Sequence, residues 1–191
     1  MSKLISLYIN LLRRIDLFSD RVNNKLYKWT YHLTMNQLMP YFKCAYGEIN
    51  KPYYVGDFDD SVIWTFWWQG FNKMPYVTKE CFLSLKNHSQ NHKVILIDKY
   101  NIHKFVDISN YIYKKINNNI IDITHLSDIL QFYLLYDYGG LWIDSTMYCA
   151  NNLDEKYFSD NFYTSSATLI NGRPFFSSGK WILGLIGGNR H

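Results

Sequence analysis

Apolar residues recur at helical spacing along residues 1–20 of the chain. They are Leu4, Tyr8, Leu11, Leu12, Ile15 and Phe18, with Lys3, Arg13 and Arg14 among the polar positions. The pattern predicts an amphipathic helix. Because the arginines interrupt the apolar stretch too early for a transmembrane span, this helix either lies on the inner face of the cell membrane or packs against the domain. We expect residues 1–60 to form an N-terminal helical extension.

A second pattern begins at residue 62, where runs of β-forming residues alternate with helical periodicity. Val62–Trp68 is predicted to be a buried strand, Tyr76–Ser89 a helix and His92–Asp98 a second strand. The order strand, helix, strand indicates a right-handed βαβ unit of a parallel sheet. Alternation along the first strand would place Trp67 and Trp68 on opposite faces, so that at most one lines a site.

The most clearly bounded helix runs from Thr124 to Asp137. Asp122 or Thr124 can cap its start, and Gly139-Gly140 ends it. Further segments are predicted as two short helices, residues 101–105 and 110–117, and as three strands, residues 141–148, 162–169 and 180–186. The fold class is therefore α/β, a mixed sheet with helices on both faces, in a domain that spans residues 61–191.

Composition narrows the function classes. The chain has 191 residues, 48% hydrophobic and 19% charged, which suits one compact domain. Its formal net charge of +4 is scattered, so no nucleic-acid surface is indicated. The cysteines Cys44, Cys81 and Cys149 form no CxxC pair, which favours a reducing cytoplasm over a zinc or redox centre. The 18% aromatic content fits either surfaces that stack on sugars or a codon bias.

Helical spacing places three side chains on one side of the predicted helix at residues 124–137. They are His125, Asp128 and either Gln131 or Phe132. The Gly-Gly turn then leads into a strand that ends near Asp144, so that Asp128 and Asp144 meet at the sheet edge where open α/β folds bind ligands. Taken singly, Asp144 suits a strand-end cap or a lysine partner, and His125 suits a packed or capping histidine.

In this region the sequence resembles a known family. Ser127-Asp128, Gly139-Gly140 and Trp142-Ile143-Asp144 are similar to the SD...YGG...DxD motif of GT-A-fold, DXD-motif glycosyltransferases of the family 32 type, and above all to capsular polysaccharide synthesis proteins. Ile63-Trp64, Trp67 to Gly70 and Met74-Pro75 extend the resemblance over roughly residues 62 to 150. The resemblance implies a GT-A-like, Rossmann-like fold and a hexosyltransferase, of the retaining type by analogy.

The resemblance also implies roles for individual residues. Asp128 and Asp144 would be catalytic, and Asp144 with Thr146 would hold Mn²⁺ or Mg²⁺, a hard cation that neutralises a diphosphate leaving group. The substrate-binding positions would be Thr65, Trp68, Gln69, Gly70, Asp98, His125, Gln131, Gly139 and Gly140. Asp98 suits equally well the start of the next helix. The expected partners are a UDP-sugar donor and a polysaccharide or lipid-linked glycan acceptor, in the cytoplasm or at the inner membrane face.

Three departures from the family leave alternatives open. Gln131 stands where many relatives carry Arg, and Thr146 replaces the final Asp of a strict DxD motif. The chain also stops at His191, earlier than the family's domain usually does. A truncated or degenerate relative that binds sugar nucleotides or glycans without catalysis is one alternative. A peripheral membrane scaffold, docked through residues 1–20, is the other.

Overall fold

The computed structural model describes residues 61–166 and 181–188, together with Trp29, His32, Asn36, Met39 and Pro40. The chain divides into two compact units, and Pro52–Ser165 with Ile182–His191 form the one that contains all the described strands. The other unit, Met1–Lys51 with Ser166–Trp181, lies almost entirely outside the described residues. The predicted helix at residues 1–20 and the extension at residues 1–60 therefore stay predictions.

One mixed sheet organises the described part of the chain. Its strands are β1 (Ile63–Phe66), β2 (Val94–Ile97), β3 (Gly140–Ile143), β4 (Tyr163–Thr164) and β5 (Leu185–Gly188). Their order across the sheet is β2-β1-β3-β5-β4. Strand β1 pairs in parallel with β2 and β3, whereas β5 is antiparallel to both β3 and β4. The predicted α/β class with a mixed sheet is confirmed.

Helices connect the parallel strands. They are α1 (Tyr76–His88), α2 (Asn110–Asn117), α3 (Ile123–Tyr138) and the single turn α4 (Lys156–Ser159), with 3-10 turns at Phe71–Lys73 and Ile102–Lys104. The helices predicted at residues 76–89, 110–117 and 124–137 are confirmed to within one residue at each end. Over the described ranges, no helix is long and apolar enough to cross a membrane.

Strand β1 is the centre of the core because both of its neighbours are parallel strands and both of its faces are covered. All four of its residues are buried, as expected for an apolar strand inside a parallel sheet. Trp64 packs on one face with the leucines of α3, and Ile63 packs on the other with Leu85 of α1. Helices therefore cover both faces of the sheet, as predicted.

The later strands are shorter or displaced relative to the predictions. Strand β3 ends at Ile143 rather than residue 148, because the Met147 amide turns back to the Asp144 carbonyl at 2.9 Å. The strand predicted at residues 162–169 contains only Tyr163–Thr164 within the described range. The one predicted at residues 180–186 begins at Leu185, since residues 183–184 form a turn. Most apolar residues of these predicted segments that lie outside the observed strands are exposed; they are Met147, Tyr148, Phe162, Trp181 and Ile182. An apolar pattern alone does not distinguish such residues from those of a strand.

Helix α3 begins at the edge of the sheet where β1 and β3 end. The Asp122 carboxylate caps it by accepting the His125 amide at 2.9 Å. The helix ends at Gly139, whose positive φ of 69° stops the helical hydrogen bonding. Because β3 starts at the next residue, α3 runs antiparallel to β3. Its first turn therefore lies at the edge where β1 and β3 end.

A buried carboxylate near the end of α3 gives the first prediction. Asp137 is only 3% exposed, and this burial raises the pKa of its carboxyl group. A raised folded pKa disfavours the ionised form in the native state, so stability falls as pH rises through the interval above the ordinary value of 3.8. Asp137→Asn should raise the free energy of unfolding at pH 7 by on the order of 1 kcal/mol, as measured by urea unfolding.

The gain in stability should disappear below the ordinary pKa of Asp137, because the carboxyl group is then protonated in both the folded and the unfolded state. Asp154→Asn is the matched control, because the hydrogen bond to Lys156 lowers the pKa of Asp154. That carboxylate stabilises the folded state above its ordinary pKa, and its contribution is lost as the pH falls. Equal pH profiles for the two variants would contradict the prediction.

Candidate functional site

A cavity of about 310 Å³ opens at the edge where β1 and β3 end. Three segments line it: the residues that end and follow β1, the first turns of α3, and the residues that follow β3. The lining residues are Phe66, Trp67, Trp68, Gln69, Ile123, Thr124, Ser127, Asp128, Asp144, Ser145 and Thr146. Parallel pairing of β1 with β3 brings the first and third segments together, and α3 supplies the second. The cavity therefore lies at the ligand-binding edge predicted for this fold.

Two tryptophans form an aromatic wall of this cavity. Both Trp67 and Trp68 line it, so the prediction that at most one of them lines a site is wrong. The physical reason is that β1 ends at Phe66, and strict alternation stops where strand geometry stops. Within the described residues, the indole nitrogen Nε1 of Trp67 is one of two buried side-chain atoms without a hydrogen-bond partner. The aromatic wall thus includes an uncommitted donor.

Asp128 and Asp144 line one cavity, and the charge of Asp144 acts on the carboxyl group of Asp128. Burial raises the pKa of Asp128, and the negative charge of Asp144 raises it further, while His125 acts in the opposite direction. Both carboxyl groups line the same cavity. The predicted meeting of Asp128 and Asp144 at one sheet edge is therefore what the structure shows.

The carboxylate of Asp144 is held in a defined orientation. Trp142 Nε1 donates to its Oδ1 at 2.9 Å, and the backbone amide of Asp144 donates to the Gly184 carbonyl at 2.9 Å. Oδ2 would lie 3.2 Å from a Cβ atom added to Gly184. Glycine at this position therefore leaves room beside the second oxygen, which no hydrogen bond between described residues engages.

Helix α1 holds the loop that follows Asp144. Cys81 Sγ donates to the Thr146 carbonyl at 3.5 Å, and the Cys149 amide donates to Ser84 Oγ at 3.0 Å. The Ser84 hydroxyl in turn donates to the Cys81 carbonyl at 2.7 Å. Burial, and secondarily the neighbouring Cys81, raises the pKa of the Cys149 thiol. These thiols therefore act in the structure as packed side chains rather than as reactive groups.

Several predicted binding residues contribute to the fold at this edge without lining the cavity. Thr65 is fully buried within β1, and its Oγ1 has no hydrogen-bond partner among the described residues. Asp98 Oδ1 accepts the amides of Tyr100 and Asn101 at 2.8 and 3.0 Å, so this side chain holds the turn that follows β2. The N-cap of the next helix, the 3-10 turn Ile102–Lys104, is Asn101 rather than Asp98. Gly70, with φ of 79°, approaches the other oxygen of Asp98.

His125 and Gln131, predicted on one side of α3 with Asp128, point in different directions. His125 is exposed, and its Nδ1 lies 2.7 Å from Asp122 Oδ1. Gln131 is 1% exposed, and its Nε2 donates to the Leu183 carbonyl at 2.7 Å. The helical period places residues three apart on the same side of a helix. This side of α3 is wide enough that one of its edges is exposed to solvent and the other is buried in the core. Gln131 does not line the cavity.

Gly139 and Gly140 shape the junction between α3 and β3. The Gly139 carbonyl accepts Trp64 Nε1 at 2.9 Å. Gly140 has φ of 91°, and a Cβ atom there would lie 2.3 Å from the Val62 carbonyl oxygen. The absence of a side chain lets the Leu141 amide reach that oxygen at 2.9 Å. Both glycines therefore position β3 against β1.

The cavity also includes residues that sequence reasoning did not select as ligand contacts. They are Phe66, Trp67, Ile123, Thr124, Ser127 and Ser145. Thr124 and Asp128 are four residues apart, which places them on the same side of α3. Combining this spacing with the position of the first turn of α3 at the sheet edge would have identified Thr124. The contribution of Trp67 depends on where β1 ends.

The fold and the cavity define an α/β protein with an acidic cavity, walled by aromatic residues, at the carboxyl ends of its parallel strands. The sequence profile of the family described as capsular polysaccharide synthesis protein matches residues 14–191, and the chain belongs to that family.

A curated relative gives a second comparison. The chain is 27% identical over 106 residues to a protein named O-glycosyltransferase braB from Annulohypoxylon truncatum. The aligned region covers 50% of this chain and 25% of that protein, so the chain matches about a quarter of the relative's length. No solved structure matches the chain.

Gly140→Ala tests the close approach of β3 to β1. The added Cβ meets backbone rather than a movable side chain, at a positive φ. We expect a loss of roughly 2–4 kcal/mol in the free energy of unfolding, measured with urea. Gly70→Ala is the matched control, because its Cβ would meet the Asp98 side chain at 3.1 Å. It should cost only about 1–2 kcal/mol, and equal losses would contradict this account.

Ser84→Ala tests the attachment of the loop to α1. The substitution leaves the Cys149 amide without its acceptor, which should lower the free energy of unfolding by roughly 1–3 kcal/mol. Ser89→Ala is the control, since Ser89 is comparably buried but only donates to the Lys86 carbonyl within its own turn. Thermal unfolding of both variants measures the difference, and a larger loss in Ser89→Ala would refute the role of Ser84.

Proposed function

We propose that the protein is a glycosyltransferase that moves a sugar from a nucleotide-sugar donor, a UDP-sugar, to a growing capsular or other surface polysaccharide. Membership of the capsular polysaccharide synthesis family supports this function. So does the similarity to a protein named as an O-glycosyltransferase. The observation that carries the proposal is the pair Asp128 and Asp144 in one cavity with an aromatic wall.

The two carboxylates favour a ligand that brings positive charge. Burial and the charge of Asp144 both disfavour ionisation of Asp128, and a divalent cation between or beside them would offset that repulsion. Nucleoside diphosphates carry concentrated negative charge and commonly bind with such a cation. An acidic cavity that accepts a diphosphate therefore implies a metal as the third component.

The side chains at this edge fit Mn²⁺ or Mg²⁺ that is bound jointly with the donor. Asp144 would hold the ion through Oδ2, because Oδ1 already accepts Trp142 Nε1. Thr146 would add its hydroxyl. Residues 61–166 and 181–188 contain no group of three or more His, Cys, Asp or Glu side chains that could enclose an ion. This agrees with a cation that takes its remaining ligands from phosphate oxygens and water.

Each part of the cavity then has a task. Trp68 and Gln69 would contact the nucleoside, and Trp67 Nε1, buried without a partner, would be available to an acceptor atom of the ligand after a small side-chain shift. Asp128 would accept a hydroxyl of the ribose or donor sugar. The bound cation would neutralise the departing diphosphate.

The transfer step is proposed by analogy with the retaining transferases that the sequence resembles. The bond between the anomeric carbon and the diphosphate oxygen breaks, and the acceptor hydroxyl forms the new bond from the same face. Its proton passes to the departing phosphate oxygen, so no protein nucleophile is required. Catalysis would then consist of positioning and charge stabilisation by the side chains of the cavity.

Isothermal titration with UDP and Mn²⁺ tests the proposal. The unmodified chain should bind UDP only when Mn²⁺ is present, and Asp144→Asn should weaken that binding by at least about 10–100-fold, because the variant loses a direct ligand to the ion. Asp160→Asn is the control, since Asp160 lies on the surface after α4. It should bind like the unmodified chain.

The same samples, supplied with a panel of UDP-sugars, should hydrolyse one donor slowly in the absence of acceptor. Absence of UDP binding by the unmodified chain would contradict the proposed function. Binding without hydrolysis or transfer, with any acceptor, would favour the alternative of a non-catalytic sugar-nucleotide-binding relative.

A further inference from the structure

Gln131 is a buried polar side chain that the proposed chemistry does not use. It lies three residues after Asp128 on α3, and its amide nitrogen donates to the Leu183 carbonyl at 2.7 Å. Gln131 and Leu183 are 52 positions apart in the chain. The bond therefore connects the helix that carries Asp128 to the turn that precedes β5.

The turn at residues 183–184 lies beside Asp144 and is hydrogen-bonded to its backbone. The ladder between β3 and β5 ends at the pair Ile143 and Leu185. One position further, the Asp144 amide donates to the Gly184 carbonyl at 2.9 Å. The backbone at Gly184 also lies against Asp144 Oδ2, since a Cβ atom there would be 3.2 Å from that oxygen. The conformation of this turn therefore determines where the Asp144 carboxylate sits.

We propose that Gln131 is a positioning residue for Asp144, acting through the Leu183–Gly184 turn. Its amide fixes the Leu183 carbonyl, and the fixed turn presents the Gly184 carbonyl to the Asp144 amide. One side chain thereby sets the separation of Asp128 on α3 from Asp144 after β3. The importance of that separation for catalysis rests on the function proposed above, whereas the positioning itself does not.

A neutral hydrogen-bond donor of this length suits the surroundings of residue 131. A glutamine amide satisfies the Leu183 carbonyl without placing charge in the core. An ionised carboxylate would present an acceptor to an acceptor, and an apolar side chain would leave the carbonyl without its partner. Glutamine at this position is thus explained by a contact inside the protein, whereas the sequence suggested a weakened contact to phosphate or sugar.

Amide hydrogen exchange of Gln131→Met tests the inference directly. Methionine has a similar length and volume but no donor. We expect the Asp144 amide to exchange at least about tenfold faster than in the unmodified chain, because local opening of the turn becomes easier. The amide of Ile63, which donates to the Lys93 carbonyl at 2.9 Å on the far side of the sheet, is the internal reference. Its exchange should change much less.

Two further variants sharpen the test. Gln131→Leu also removes the donor and places no charge in the core, so it should reproduce the selective acceleration even if Gln131→Met fails to fold. Gln90→Met is the control, because Gln90 Nε2 makes the same kind of bond to the Leu153 carbonyl, at 2.6 Å. It should leave exchange at Asp144 unchanged. Unchanged exchange at Asp144 in the position-131 variants, or equal acceleration at Ile63, would overturn the inference.

Titration with UDP and Mn²⁺ separates this inference from the proposed function. If both hold, Gln131→Met should weaken UDP binding by about tenfold, and saturating Mn²⁺ should recover part of the loss. If the unmodified chain binds no UDP, the proposed function fails. The exchange at Asp144 still decides whether Gln131 positions that residue.

Discussion

The close approach of Gly140 to β1 is the constraint on which the rest of the site depends. Because Gly140 has no side chain, the Leu141 amide reaches the Val62 carbonyl, and β3 pairs in parallel beside β1. That pairing brings the residues after both strands to one edge. Since Gly139 ends α3 immediately before β3, the first turn of α3 returns to the same edge. The cavity is a consequence of these two adjacent backbone requirements.

Around this frame, the loop that carries Asp144 is held from several directions. Trp142 orients the carboxylate, the Gly184 carbonyl holds its amide, and the hydroxyl of Ser84 holds the far end of the loop. Such supporting contacts fix a ligand-binding carboxylate more accurately than its own rotamer preference would. The burial of Asp128 near Asp144 disfavours ionisation in the absence of a cation. Such an electrostatic cost to the folded protein is typical of sites where the residue types serve ligand binding rather than stability.

Function follows from the site more securely than from the fold, because α/β sheets of this kind host many unrelated activities. Here the family assignment and the acidic cavity with its aromatic wall both support the proposed transfer of a sugar from a nucleotide-sugar donor. Paired carboxylates suit a cation and a diphosphate, and indole rings suit a nucleobase or a sugar. The donor, the metal and the transfer step are proposals that rest on this chemistry.

The sequence by itself determined the α/β class, the three main helices and the meeting of Asp128 with Asp144. These depend on local signals: apolar periodicity, the cap at Asp122 and the glycines that end α3. Tertiary structure decided that Trp67 and Trp68 both line the cavity, since their directions depend on where β1 ends. It also decided that the Gln131 side chain donates to the Leu183 carbonyl. Those outcomes arise from contacts between residues distant in the chain, which no local pattern encodes.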